Sequence, residues 1–217
     1  EMYEKIFVFA ADAEGSASLV SALRASCEKL YLLCPDSAAV SGADEVYTYP
    51  ASESFVCRVR DAVQLIKDAA PQLLVCDPSA DGRLLAGYAA AALHCSPLCD
   101  VMSLEAADDS VTAARMVYGG AATETVRTSL PAVITVGKDV AQLRMPSIAG
   151  VLAAEDASVE VLTAADAGAD TARCGLAGSP TQVVRSFVPE RTHDCTFIDG
   201  DIDAQVRTLA DLLEELS

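Results

Sequence analysis

Positive charge is scarce in this sequence. Fifteen lysines and arginines stand against 32 aspartates and glutamates in 217 residues, a formal net charge of −17. The basic residues are scattered, so no stripe exists that could release counterions from a phosphate backbone, and nucleic acid is not expected as a partner. An acidic surface also disfavours anionic membranes and favours solubility, while saying nothing about fold. Long apolar runs are missing too: none approaches the ~20 residues that cross a bilayer. The short run Ile6 to Ala11 has neither the length nor the small-residue cleavage pattern of a signal peptide. No direct membrane insertion is expected, and the expected location is the cytoplasm.

The eight cysteines include no C-x-x-C pair. In a chain of this size without an export signal they do not form a disulfide framework. Cys34 and Cys76 lie in apolar runs and read as small buried hydrophobes. His94, Cys95 and Cys99 come nearest to a metal site. A closed zinc site takes four ligands, however, and the other histidine, His193, is far along the chain, so no metal is expected. His94, Ser96 and Asp100 are close in sequence, but a catalytic triad is defined by spatial roles, and three polar residues at a helix end read as a turn. No catalytic residues are expected, and the chain does not read as an enzyme.

What is present is a 52% hydrophobic fraction, enough to bury one sizeable core with an appendage. Lys5 to Ala10 is a β-rich run. It is followed by Asp12, Glu14 and Gly15 and then by Leu19, Val20, Leu23 and Cys27 at helical spacing, with Ser16 as the expected N-cap. Leu30 to Cys34 and Glu45 to Tyr49 are the next strands. Val56, Val59, Val63 and Ile66 mark a helix face that must stop before Pro71. Leu73 to Cys76 is the fourth strand, and a helix starts near Arg83, with Leu84, Leu85, Tyr88 and Leu93 expected in the core.

This alternation predicts an α/β fold with a doubly wound, mainly parallel sheet of the adenine-nucleotide-binding, Rossmann-like kind, whose ligands sit at the strands' carboxyl edge. Leu98 to Leu104, Thr112 to Val117, Glu124 to Thr128 and Ala132 to Val136 are further strands. They predict an antiparallel hairpin grafted onto the parallel sheet, with Gly119 and Gly120 at a turn or bulge. Beyond Gly150 the apolar signal thins, with Val159 to Leu162 as a last short strand. The stretch from Gly168 to Asp201 reads as an extended arm. Asp201 then caps a helix whose apolar stripe is Ile202, Val206, Leu209, Leu213 and Leu216. The expected organisation is an α/β domain over 1–162 and an arm with its amphipathic helix over 163–217. Two covers are open for that stripe: the chain's own domain, or another subunit that the arm wraps.

Several ordered motifs carry a resemblance. D-G-R-L-L-A (Asp81 to Ala86), D-V-x-S-L-E (Asp100 to Glu105), R-x-x-Y-G-G-A (Arg115 to Ala121) and L-P-A-V-I-T-V (Leu130 to Val136), with the opening K-I-F-V-F-A-A-D-A-E-G, resemble the amino-terminal domain of the electron transfer flavoprotein alpha subunit. Arg144 to Ala154, Gly175 to Val184 and Phe187 to Asp201 are similar to the closing section of the beta subunit. The resemblance implies a complementary subunit as partner. It also implies electron transfer through FAD, from a dehydrogenase donor or to a membrane-associated acceptor reached through the complex. The alpha-type domain that holds most of the FAD is not in this sequence, so the expectation is that FAD is shared with or held by the partner. AMP is the other candidate ligand. Arg115 and Tyr118 are implied to face the other subunit; read on their own, they are an exposed strand cation and an aromatic packed on a glycine turn.

The expected cofactor-binding residues are Phe9, Ala10 and Ala11 at the end of the first strand and Asp77, Ser79, Asp81, Gly82 and Arg83 after the fourth. Ser79 and Gly82 could offer backbone N–H groups to a phosphate at a helix N-terminus, and Arg83 a bidentate contact. Asp77 and Asp81 put negative charge beside the same point, where they serve equally well as helix caps. The expected interface residues are Arg115, Tyr118, Ile202, Val206, Leu209 and Leu213. The alternative from another class is a stand-alone AMP- or ATP-binding module, or a scaffold, of the same fold without a redox role.

Overall fold

The computed structural model describes residues 2–35, 42–49, 59–107, 109–137, 140–141, 145, 147–156, 159–161, 163, 172, 181, 183–189, 195 and 197–215. Two compact units are present, Glu1–Thr181 and Gln182–Ser217.

In the first unit the elements run β1 Tyr3–Phe9, α1 Ala13–Leu23, β2 Cys27–Pro35, β3 Glu45–Tyr49, α2 Val59–Ala69, β4 Leu73–Cys76 and α3 Ala80–Ala92. There follow β5 Pro97–Ala107, β6 Ser110–Val117, β7 Ala122–Ser129, β8 Ala132–Val136, α4 Ile148–Glu155 and β9 Val159–Val161. The described strands form one nine-stranded sheet in the order β7-β6-β5-β8-β4-β1-β2-β3-β9. From β5 through β8, β4, β1, β2 and β3 to β9 every pairing is parallel, whereas β5–β6 and β6–β7 are antiparallel. The expected mixed, mainly parallel α/β sheet with its antiparallel element is what forms.

The central strands are apolar throughout because helices cover both faces of a parallel sheet. Their alternation divides the core in two. Ile6, Val8, Leu30, Leu32, Leu73 and Val75 cluster with Leu19 and Val20 of α1. On the other face Phe7, Phe9, Tyr31, Leu33, Leu74 and Cys76 cluster with Val63 and Ile66 of α2 and Leu85, Ala86 and Ala89 of α3. Cys34 and Cys76 are fully buried, as small hydrophobes should be. Burial also pushes the Cys76 thiol well up from its ordinary value, which leaves it unreactive.

Four local expectations change. The N-cap of α1 is Asp12, whose carboxylate accepts from Gly15 N at 2.6 Å. Ser16 is buried inside the first turn, its hydroxyl donating to Asp12 O at 2.7 Å. Cys27 does not continue the helix: a short 3₁₀ turn over Arg24–Ser26 ends it, and Cys27 opens β2. Tyr88 is 60% exposed, because α3 turns Gly82, Leu85, Ala86, Ala89 and Ala90 to the sheet; Leu84 and Leu93 are half-buried at the edge of that stripe. α4, capped by Ser147 through Gly150 N at 3.1 Å, occupies a stretch where no helix was expected.

α2 ends as Pro71 requires, with Ala70 in the left-handed region (φ 47°) and its N–H on the Ile66 and Lys67 carbonyls. Val56, the first residue of the expected face, lies outside the described residues.

In the second unit α5, Ile202–Glu215, follows Asp201, whose carboxylate accepts from Ala204 N at 2.9 Å and is the cap its position suggests. Ile202, Val206, Leu209 and Leu213 are exposed; Leu216 lies outside the described residues. The same is true of most of Gly168 to Asp201, although 183–189 carry no regular secondary structure and the Arg185 guanidinium sits 5.6 Å from the Phe187 ring centroid. Among the described residues no helix is long and apolar enough to cross a membrane.

Candidate functional site

The strand order reverses between β1 and β4. From β1 the chain moves to β2 and β3 on one side, and β4 starts the other side. Loops leaving the carboxyl ends of these two strands must diverge, and the divergence opens a crevice. A cleft of about 440 Å³ lies there, lined by residues that include Asp12, Gly15, Ser18, Asp77, Ser79 and Gly137. Its volume falls in the range of small-molecule sites.

Asp77 organises the floor. It is 4% exposed, and its own N–H donates to Phe9 O at 3.0 Å, continuing the β1–β4 ladder by one residue. One carboxylate oxygen accepts from Ala11 N at 2.7 Å. The other accepts from Ser79 Oγ at 2.5 Å and from Ser79 N at 3.3 Å. Ser79 is the N-cap of α3, accepting in turn from Gly82 N at 2.9 Å. The cap of α3 is thus Ser79 and not Asp77 or Asp81, the expected caps: Asp77 holds the serine and Asp81 lies in the first helical turn.

Gly82 lets the helix approach this closely: a Cβ there would overlap both the carboxylate and the backbone carbonyl of Asp77. Burial raises the Asp77 carboxyl above its ordinary range, opposed by the hydrogen bonds from Ala11 and Ser79 and reinforced slightly by Asp12.

The other expected residues separate. Phe9 and Ala10 are buried, and Ala10 N donates to Leu33 O at 3.2 Å. Arg83 is exposed and turns to Asp100, 3.4 Å away, rather than to the crevice. Asp100 occupies the left-handed region (φ 55°) at an irregularity in the β5–β8 register, where its N–H donates to Thr135 Oγ1 at 3.0 Å. His94 and Cys99 are exposed, and no metal-sized cluster of His, Cys, Asp and Glu occurs among the described residues, which do not include His193. Asp12, Glu14, Ser18 and Gly137 of the crevice were missed. Asp12 was findable, since Asp just ahead of a helical run is a preferred N-cap.

On the antiparallel side Arg115 faces Glu124 across β6 and β7 at 2.6 Å. Tyr118 is 87% exposed with φ 55°, so it does not pack on the glycine turn that Gly119 and Gly120 form with positive φ.

Nucleotide phosphates favour backbone N–H groups at a helix N-terminus. Here the N–H groups of Ala11 and Ser79 are taken by Asp77, that of Gly82 by Ser79, and Glu14 and Asp12 add charge at the same crevice. These residues do not fit the phosphate of AMP or the pyrophosphate of FAD.

The sheet order and its crevice define a doubly wound α/β domain of the nucleotide-binding type. The family described as "Electron transfer flavoprotein domain" matches residues 12–167, and the chain belongs to that family, which is flavin-associated. Protein FixA of Rhizobium leguminosarum bv. phaseoli is 36% identical over 118 residues, covering 54% of this chain and 40% of the relative. The electron transfer flavoprotein subunit beta of Megasphaera elsdenii is 33% identical over 86 residues, 40% of this chain and 32% of that protein. The caffeyl-CoA reductase-Etf complex subunit CarD of Acetobacterium woodii is 35% identical over 66 residues, 30% of this chain and 25% of its own length. The chain thus spans well under two thirds of the curated relatives it matches.

Proposed function

We propose that this chain is a subunit of an electron-transfer-flavoprotein-like complex, a carrier rather than a catalyst, which passes electrons through FAD held largely by a complementary subunit. The observation that carries the reading is the family match over residues 12–167 on a doubly wound sheet. The similarity to FixA and to a beta subunit supports it. Asp77 supports the division of labour, since it engages donors that a flavin's phosphates would use.

On this reading the flavin supplies the redox chemistry. Arg115, Tyr118 and the stripe Ile202, Val206, Leu209 and Leu213 face the complementary subunit. A dehydrogenase donor or a membrane-associated acceptor is reached through the complex, and the complex works in the cytoplasm. The test is to purify the chain alone and with the complementary subunit and to record flavin absorbance. Flavin is expected in the complex; flavin retained in full by this chain alone refutes the division of labour.

The second reading, an AMP- or ATP-binding module, has the volume of the crevice in its favour and the donors already held by Asp77 against it. It requires a melting shift with nucleotide, ~2.7 kcal/mol at a hundred times the dissociation constant. A scaffold that binds nothing shows no shift and no flavin in either preparation.

A further inference from the structure

Three features of the switch-point crevice converge on one residue. The N–H of Ala11 with the N–H and hydroxyl of Ser79, the N-cap of α3, form the kind of donor set that receives an anion, and the anion they receive is internal. Asp77 accepts from Ala11 N at 2.7 Å and from Ser79 N and Oγ at 3.3 and 2.5 Å. The helix is drawn against that carboxylate so closely that only glycine fits at position 82. The crevice's lining holds Asp12, Glu14 and Asp77 and no Lys or Arg among the described residues, and the neighbouring cation Arg83 pairs with Asp100.

We infer that Asp77 is the specificity determinant of this crevice: its carboxylate stands where a nucleotide's phosphate would, so phosphate-bearing ligands are turned away. The crevice receives ligands that bring no anion to the α3 end. The inference deepens the proposed function, resting on its division of labour between this chain and the subunit that holds the flavin.

The experiment titrates inorganic phosphate, AMP and adenosine, at constant ionic strength, into the full chain and into Asp77→Ala and Asp77→Asn, with calorimetry and thermal melting as readouts. In the unmodified protein neither phosphate nor AMP raises the melting temperature, and AMP binds no better than adenosine. Removing the carboxylate strengthens AMP binding by about tenfold or more, the scale of a charge-assisted contact. AMP preferred over adenosine by the unmodified protein overturns the inference, and so does a folded variant that binds AMP no better than its parent. Should Asp77→Ala fail to fold, Asp77→Asn, which keeps the side chain's shape, and the comparison of AMP with adenosine on the parent decide. AMP binding by the parent, with flavin still confined to the complex, sinks the inference and leaves the proposed function intact. A complex without flavin does the reverse.

Discussion

Asp77 combines burial at 4% exposure with hydrogen bonds from Ala11 and Ser79, and burial dominates its titration, raising the carboxyl above its ordinary value of 3.8. The folded protein then holds this proton more tightly than the unfolded chain. Its contribution to stability is complete below pH 3.8 and is lost as pH rises through the elevated folded value. Urea titrations at stepped pH should therefore show unfolding free energy declining across that interval in the native sequence, and Asp77→Asn should lack that component of the slope. The thiols give a second residue-scale prediction: Cys99 and Cys195 are exposed and should label in the native protein, whereas Cys27, Cys34 and Cys76 are buried and should label only on unfolding. Rapid native labelling of Cys76 would contradict its burial at the end of β4 beneath the helices. The apolar runs around Cys34 and Cys76 already announced their burial. Nothing local announced that Asp77 would accept from Ala11, 66 residues earlier.

Helix starts were legible where the capping residue and the helical stripe agreed, as at Asp201 and α5. At α1 Ser16 is the expected cap, but Asp12 takes the role because its carboxylate reaches Gly15 N. Asp12→Ala should cost about 1 kcal/mol of stability, the usual value of a lost cap. Ser16→Ala should cost less, since its hydroxyl only back-bonds to a helical carbonyl; chemical denaturation of the two variants measures the difference. α4 escaped detection because its Ile148, Val151 and Leu152 are exposed and Ala154 alone in it is buried, so no stripe separates an inner from an outer face. In α5 the stripe is plain and its apolar residues are exposed. Leu209→Glu should leave the melting of the isolated chain within ~0.5 kcal/mol, as surface substitutions do. On the proposed function it should weaken assembly with the complementary subunit, measurable by calorimetry.

A net charge of −17 opposes compaction of the whole molecule through self-repulsion, so its melting temperature should rise with added sodium chloride as that repulsion is screened; a flat response would show that the carboxylates are already neutralised by local pairing. On charge alone nucleic acid is not the expected partner, without reference to any fold. Periodicity and turn chemistry by themselves determined the α/β class, the positions of most strands and the antiparallel extension, because strand, loop and helix preferences act over a few residues. The ordered motifs carried the resemblance to the electron transfer flavoprotein family, and the match over residues 12–167 places the chain there. The order of strands across the sheet, the crevice between β1 and β4 and the partner of each polar group were decided only by tertiary structure. Arg83 illustrates the limit. Its place after a glycine at a helix N-terminus suggests a phosphate contact, yet the fold brings Asp100 to it and Asp77 to the donors it was meant to join. Pairings between residues far apart in sequence depend on how strands are stacked, and no local pattern encodes that stacking.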